Sequence, residues 1–308
     1  MFSNAKNGAL LISALVLATG PAFAQTNSPY FQDLLPAGSP DSAYFTYVQI
    51  AKNLGLAVPS AVGSCLPSNL PPGASTPILP PPGSGAAQQL GCLYFGPDTF
   101  ITRAETAYWV VRSQMDETQI TNYLCATGGD PSGLSPQCNG GNPVSAFADL
   151  GVAGAAIVNP FLGANPALGI TGVTQAQLMR YITVMVRRGY TQGCGTTTDL
   201  TLDFCPNDLV TRAQMSVFII RAKMNNVFPT SLSGAQQTTP YGDTFSFPPV
   251  PYFTDVTPAD PVFGPYFPYI QEMRALAITS GTSATTFSPG NNVTRKEIAT
   301  FVVRAFFL

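Results

Sequence analysis

The strongest constraint on this chain is that its 308 residues carry one pattern three times. Phe95-Gly-Pro97 precedes Thr102-Arg103-Ala104-Glu105, Phe204-Cys-Pro206 precedes Thr211-Arg212-Ala213-Gln214, and Phe287-Ser-Pro289 precedes Thr294-Arg295-Lys296-Glu297. In each copy five positions separate the proline from the threonine (97 to 102, 206 to 211, 289 to 294), and a second arginine follows nine positions after the first, at Arg112, Arg221 and Arg304. Three coincidences of spacing define a repeat, and a repeat fixes the kind of fold before any local reading does.

The front halves repeat as well. Phe31-x-Asp33, Phe147-x-Asp149 and Phe253-x-Asp255 open the copies. Tyr47, Tyr181 and Tyr269 lie in helical apolar patterns, followed eight positions later by Gly55, Gly189 or Ala277. The step from aspartate to tyrosine is 14 positions in the first and third copies (33 to 47, 255 to 269) but 32 in the second (149 to 181), an insertion of 18. The first copy expands between its halves instead, where Pro67 to Pro82 is a Pro/Gly/Ser stretch expected to be an irregular loop.

Each copy therefore reads as helix, glycine-containing turn, short loop, helix. The start of the second helix is explicit. Thr102, Thr211 and Thr294 are N-cap residues with Glu105, Gln214 and Glu297 at N3, the spacing of a capping box. Val210 with Met215 and Val293 with Ile298 have the spacing of a hydrophobic staple. A single helical hairpin of this size cannot bury its own apolar stripe, so the units are expected to pack around a shared core in a mainly α fold with long irregular loops. The boundaries read as 30–116 for the first unit with its Pro-rich insertion, 117–145 for a linker with a cysteine pair, 146–225 for the second unit, 226–250 for a linker and 251–308 for the third unit. Trp109, in the middle of a helical pattern, and the aromatics Tyr252, Phe253, Phe263, Tyr266, Phe267 and Tyr269 read as packing residues.

Residues 1–24 have the order of a secretory signal peptide: Lys6, an apolar run from Ala9 to Ala18, then Ala22-Phe23-Ala24 before Gln25. No later stretch approaches the ~20 apolar residues of a transmembrane helix. In an exported chain, the six cysteines (Cys65, Cys92, Cys125, Cys138, Cys194 and Cys205) imply disulfides. Proximity favours Cys65–Cys92, Cys125–Cys138 and Cys194–Cys205. The chain has no histidine, which removes Ser-His-Asp and Cys-His nucleophiles, H-E-x-x-H metal sites and histidine acid–base catalysis. No cofactor or metal site is expected, and a formal charge of −2 with no polybasic run argues against nucleic acid as a partner.

The pattern F-x-D, an amphipathic helix ending near glycine, then F-x-P and T-R-A-E, resembles the S-layer homology domain, whose usual copy number is three. The third unit, with Phe253-Thr-Asp255-Val256 and Thr294-Arg-Lys-Glu297, carries the resemblance most clearly. The resemblance implies a pseudo-threefold helical assembly, a cell-envelope location, no catalysis, and recognition of wall or envelope polysaccharide in grooves between modules. It places the motif arginine at Arg103, Arg212 and Arg295.

The capping box accounts for the threonine and the N3 residue of T-R-A-E, but not for the arginine. A cation in the first turn opposes the helix macrodipole at a cost of about 0.3–1 kcal/mol. Two readings offset that cost. The guanidinium and free first-turn amides hold an anionic ligand such as a carboxylate, or the arginine bridges to Asp33, Asp149 or Asp255. Arg112, Arg221 and Arg304, later in the same helices, read as surface or inter-repeat pairing.

Overall fold

Each copy of the repeat begins and ends with a helix. A computed structural model describes residues 31, 33–34, 40–63, 92–138, 147–150, 157–161, 172–196, 202–224, 236–238, 244–246 and 250–308. Residues 1–24, expected as a signal peptide, Cys65 and the Pro67–Pro82 stretch lie outside them. The first helices are α1 (Ser42–Asn53), α4 (Gln175–Arg187) and α6 (Phe267–Ala275), and the second helices are α2 (Arg103–Arg112), α5 (Arg212–Lys223) and α7 (Arg295–Phe306). One further helix, α3 (Glu117–Ala126), follows α2. There are also three short antiparallel ribbons, β1 (Ala61–Gly63) with β2 (Cys92–Tyr94), β3 (Gly195–Thr196) with β4 (Leu202–Asp203), and β5 (Gln236–Thr238) with β6 (Thr244–Ser246), and 3-10 turns at Pro136–Cys138, Ala148–Leu150 and Gly264–Tyr266. The protein is mainly α.

The first helices stop for a shared reason. Gly55, Gly189 and Ala277 adopt φ of 73°, 71° and 56°. The amide of the next residue then reaches back to the last turn, from Leu56 to Ala51 O, Tyr190 to Met185 O and Ile278 to Met273 O. This is the Schellman closure, and it favours glycine at its left-handed position. A second left-handed position falls between the phenylalanine and proline of F-x-P, at Gly96 (71°), Cys205 (55°) and Ser288 (57°). There the aspartate of F-x-D accepts two consecutive backbone amides. Asp33 binds Phe95 N and Gly96 N, Asp149 binds Phe204 N and Cys205 N, and Asp255 binds Phe287 N and Ser288 N.

The two phenylalanines of each copy meet beside that clamp. Ring centroids lie 5.2 Å apart for Phe31–Phe95, 5.4 Å for Phe147–Phe204 and 5.5 Å for Phe253–Phe287. All six are buried, and each contributes about 1.5–3 kcal/mol of apolar burial.

The helices pair across copies rather than within them. Helix α2 packs on α4, α5 on α6, and α7 on α1, while α2, α5 and α7 also touch one another. The apolar stripe of each first helix is thus covered by the second helix of the preceding copy, and the simple helical hairpin inferred from sequence is not the packing unit. Backbone hydrogen bonds run round the same cycle: Val210 N to Ile101 O (3.2 Å), Val293 N to Val210 O (2.9 Å) and Ile101 N to Val293 O (3.0 Å). Isolated bridges Thr102↔Leu209, Thr211↔Asn292 and Phe100↔Thr294 repeat the pattern. Because the third copy returns to the first, these bridges join residues 107, 81 and 194 positions apart (102 to 209, 211 to 292, 100 to 294).

The start of the segment read as a linker is ordered. Asp116 caps α3 with a full capping box to Gln119, and α3 packs on α4. Arg180 pairs with Glu117 and with the fully buried Asp130, and Tyr181 donates to Glu117. The Cys125–Cys138 disulfide closes this segment, with its Cα atoms 4.7 Å apart.

Candidate ligand-binding clefts

The T-R-A-E motif sits where one copy meets the next. Thr102, Thr211 and Thr294 lie in extended backbone at the N-cap. Thr102 Oγ1 accepts from Glu105 N, and Thr211 Oγ1 from Gln214 N. The N3 side chain reaches back in two copies, from Gln214 Oε1 to Thr211 N and from Glu297 Oε2 to Thr294 N. Glu105 turns away instead: its Oε1 accepts from Arg295 Nη1 and from Trp109 Nε1.

The first-turn amides are not free. Arg103 N and Ala104 N donate to Asp208 O and Pro206 O, Arg212 N and Ala213 N to Asn291 O and Pro289 O, and Arg295 N and Lys296 N to Thr99 O and Pro97 O. The neighbouring copy's F-x-P loop therefore takes the place of an anion at each helix start. The expectation of open amides is overturned here, because carbonyls from a distant part of the chain already satisfy those donors.

All three arginines are buried, with 3 %, 3 % and 1 % of Arg103, Arg212 and Arg295 exposed. Each guanidinium lies over the F-x-P phenylalanine of the next copy: Arg103 over Phe204 at 4.8 Å, Arg212 over Phe287 at 4.8 Å and Arg295 over Phe95 at 4.9 Å. Arg103 Nε and Arg212 Nε donate to the carbonyls of those same phenylalanines, Phe204 and Phe287. Cation–π contacts in such desolvated settings contribute about 2 kcal/mol. Burial lowers the pKa of Arg103 and Arg212, yet a guanidinium stays charged at any physiological pH. The bridge to Asp33, Asp149 or Asp255 does not form, because those carboxylates are occupied by backbone amides.

The partners beyond the ring and carbonyl differ. Arg295 Nη1 binds Glu105 Oε1 at 2.7 Å, with both side chains 1 % exposed, and Nη2 binds Val58 O at 2.7 Å. Burial raises the Glu105 pKa, while Arg295 opposes that shift. Phe161, from the insertion of the second copy, has its ring centroid 5.6 Å from the Arg295 guanidinium and packs at a tilt against Tyr108, centroids 4.7 Å apart. Arg212 pairs with the partly exposed Glu297. Arg103 has Thr191 Oγ1 at 3.5 Å, and among the described residues no carboxylate lies within 4 Å of it.

Two of the arginines line open clefts. One, of about 610 Å³, is bounded by Arg103, Thr191–Cys194, Asp208, Gln214, Arg221 and Tyr266 among others, so all three copies contribute. The other, of about 490 Å³, has Arg212, Thr282, Asn291, Lys296, Glu297 and Tyr44 in its wall. Arg295 lines neither. In the second cleft burial works against the Lys296 charge, but hydrogen bonds to Asp41 and Asp98 raise its pKa and hold the ammonium between them. The Cys194–Cys205 disulfide, with Cα atoms 6.1 Å apart, ties the wall of the first cleft to the Asp149 clamp. Cys92 stands in β2, and its expected partner Cys65 lies outside the described residues.

The later arginines join copies, as the pairing reading required. Arg221 Nε reaches the Tyr269 hydroxyl, Arg304 donates to the Tyr47 hydroxyl, and Arg112 contacts Glu117, which holds Tyr181. Trp109 is fully buried. Lys296 as a bridge to the first copy had no signal in the sequence, since its partners Asp41 and Asp98 stand about 200 positions or more away.

Residues 252–299 match the S-layer homology domain. The match covers that segment and suggests cell-surface anchoring, since domains of this kind typically bind cell-wall polysaccharide. No curated protein matches the chain. Among the described residues no helix is long and apolar enough to cross a membrane.

Proposed function

We propose that this chain is an exported, non-catalytic envelope-binding protein in which residues 30–116, 146–225 and 251–308 are three S-layer homology modules about an approximate threefold axis. In this reading it recognises an acidic cell-wall or envelope polysaccharide through the inter-copy clefts, with Arg103 and Arg212 as the cations that meet the ligand. Arg295 takes a bridging role, since Glu105, Val58 O and two aromatic rings surround it. The observation that carries the reading is the S-layer homology match over 252–299. The same fold elements recur in the other two copies, and this supports extending it to them.

The test is co-sedimentation of the mature protein with isolated envelope, before and after chemical removal of the wall-linked acidic polymer. Loss of binding on removal is expected. Retention after removal would move the protein to the second reading, a structural or adhesive envelope component acting through protein contacts. That reading is favoured by the exposed apolar pair Phe100 and Leu209, 49 % and 43 % accessible at equivalent positions of two copies.

A further inference from the structure

Each motif arginine lies between two aromatic rings, and the third copy obtains its second ring differently from the others. Arg103 has Phe204 at 4.8 Å and Phe218 at 5.4 Å, and Arg212 has Phe287 at 4.8 Å and Phe301 at 5.5 Å. Phe218 and Phe301 stand in the second helix of the following copy, seven positions after its N-cap threonine (211 to 218, 294 to 301). The same count from Thr102 arrives at Trp109, which is committed elsewhere. Its Nε1 donates to Glu105 Oε1, and its ring stands edge-on to Phe95 with centroids 6.4 Å apart. Arg295 takes Phe95 at 4.9 Å as its first ring and Phe161 at 5.6 Å as its second.

Phe161 belongs to neither of the copies that meet here. It comes from the insertion of the second copy, yet it touches Tyr108 of the first and Arg295 of the third. The backbone around it is tied down within the second copy. Ile157 O accepts from Gln175 Nε2, and Val158 N donates to Asn207 Oδ1 at 2.8 Å. Asn159 Nδ2 donates to Val173 O, and its Oδ1 accepts from Phe161 N. Ile157 and Phe161 are each 6 % exposed, so the segment is seated in the molecule rather than laid over its surface.

Of the three junctions in the cycle, the third-to-first one joins copies that do not follow each other in sequence. At the other two, the connecting chain keeps the partners at a high effective concentration whenever the contact opens. The junction without that tether carries an ion pair buried on both sides, Arg295–Glu105, and the two bridges from Lys296 to Asp41 and Asp98.

We propose that residues 157–161 are a strap by which the second copy holds the third-to-first junction shut, with Phe161 as its latch, and that this junction opens first once the latch is lifted. The strap supplies by packing and hydrogen bonds the restraint that the chain itself gives the other two junctions. Removing the Phe161 ring admits water beside the Arg295–Glu105 pair, and the attraction between two charges falls steeply once water surrounds them.

The test is native-state hydrogen exchange on the full mature chain, read at the amides that close each junction. Arg295 N and Lys296 N donate across the third-to-first junction, and Arg212 N and Ala213 N across the second-to-third. Phe161→Ala should speed exchange at Arg295 and Lys296 about tenfold or more, because a lost core ring lowers the cost of local opening, and should leave Arg212 and Ala213 unchanged. The single tryptophan, Trp109, is fully buried at the same junction, and its quenching by acrylamide should rise in this variant. Asn159→Ala loosens the strap without removing the ring, and should speed the same two amides about threefold or more. This second variant decides the matter if Phe161→Ala does not fold. Equal acceleration at all four amides makes Phe161 an ordinary core residue of one cooperative unit and overturns the proposal. Unchanged exchange at Arg295 and Lys296 in either folded variant overturns it as well.

Discussion

The Arg295–Glu105 contact and the cleft lined by Arg103 and Gln214 occupy equivalent positions of the repeat and differ in one carboxylate and in the second ring over the guanidinium, Phe161 at the first and Phe218 at the second. At the first, two charges sit side by side at 1 % exposure, with Trp109 donating to the same oxygen and Phe161 lying across the guanidinium. At the second, a cleft of about 610 Å³ remains and the cation has no bonded counter-ion among the described residues. The same backbone cycle holds both, since Arg103 N and Arg295 N each donate to a carbonyl of the next copy at 2.9 Å. The amides and F-x-P carbonyls close the ring at both positions, whereas Arg212, paired with Glu297 yet lining a cleft of about 490 Å³, shows that an N3 carboxylate alone does not close a position.

The sharpest way to break that comparison is to remove each arginine in turn. Arg295→Ala leaves Glu105 buried without its partner, and removing one member of a buried pair costs about 3–5 kcal/mol. Arg103→Ala strands no carboxylate within 4 Å, loses a carbonyl bond and a ring contact, and should cost about 1–3 kcal/mol. Denaturant unfolding of the two variants measures the difference. Equal losses would mean that the N3 charge does not distinguish the two positions.

A second effect concerns the cleft wall. Replacing Cys194 and Cys205 together by serine opens a loop with a sequence separation of 11 residues, worth roughly 3 kcal/mol in the chain-entropy account. Because this disulfide ties the wall lined by Thr191–Cys194, the paired variant should lose envelope co-sedimentation as well as stability. Removing Cys125–Cys138, whose residues line neither cleft, should lower stability alone. Calorimetric melting and envelope co-sedimentation of both variants test this, and equal loss of binding in the two would remove the special role of the Cys194 wall.

The smallest effect compares the ends of the first helices. Gly55 and Ala277 hold the same left-handed position at φ of 73° and 56°, a conformation that costs a residue with a Cβ about 1 kcal/mol. Ala277→Gly should therefore stabilise the protein by up to ~1 kcal/mol, and Gly55→Ala should destabilise it by a similar amount. No neighbour lies within 4 Å of a Cβ added at Gly55, so any larger loss there would point to something other than backbone conformation. Thermal midpoints of the two single variants measure this.

Much of the helical framework was legible because its signals are local. An N-cap threonine and its N3 residue stand three positions apart, and the glycine or alanine that ends a first helix lies within the turn it closes. The helix α3, inside a segment read as a linker, was missed because its apolar residues are few. Ile120 and Leu124 are its buried ones, and what fixes it is Arg180 more than fifty residues away.

Sequence alone determined the threefold repetition, the helix starts and stops, and the identities Gln214, Glu297 and Glu105 at one repeated position. Only the tertiary structure decided what the motif arginines do, because the acceptors of their side chains lie 101, 75 and 190 positions away for Arg103, Arg212 and Arg295. The physical reason lies in reach. A capping hydrogen bond closes within one turn of helix, whereas a buried guanidinium takes whatever ring, carbonyl and carboxylate the packed neighbour presents. The alignment of the repeats lines Gln214 up with Glu297, but only the tertiary structure shows that Gln214 and Arg103 line the same cleft.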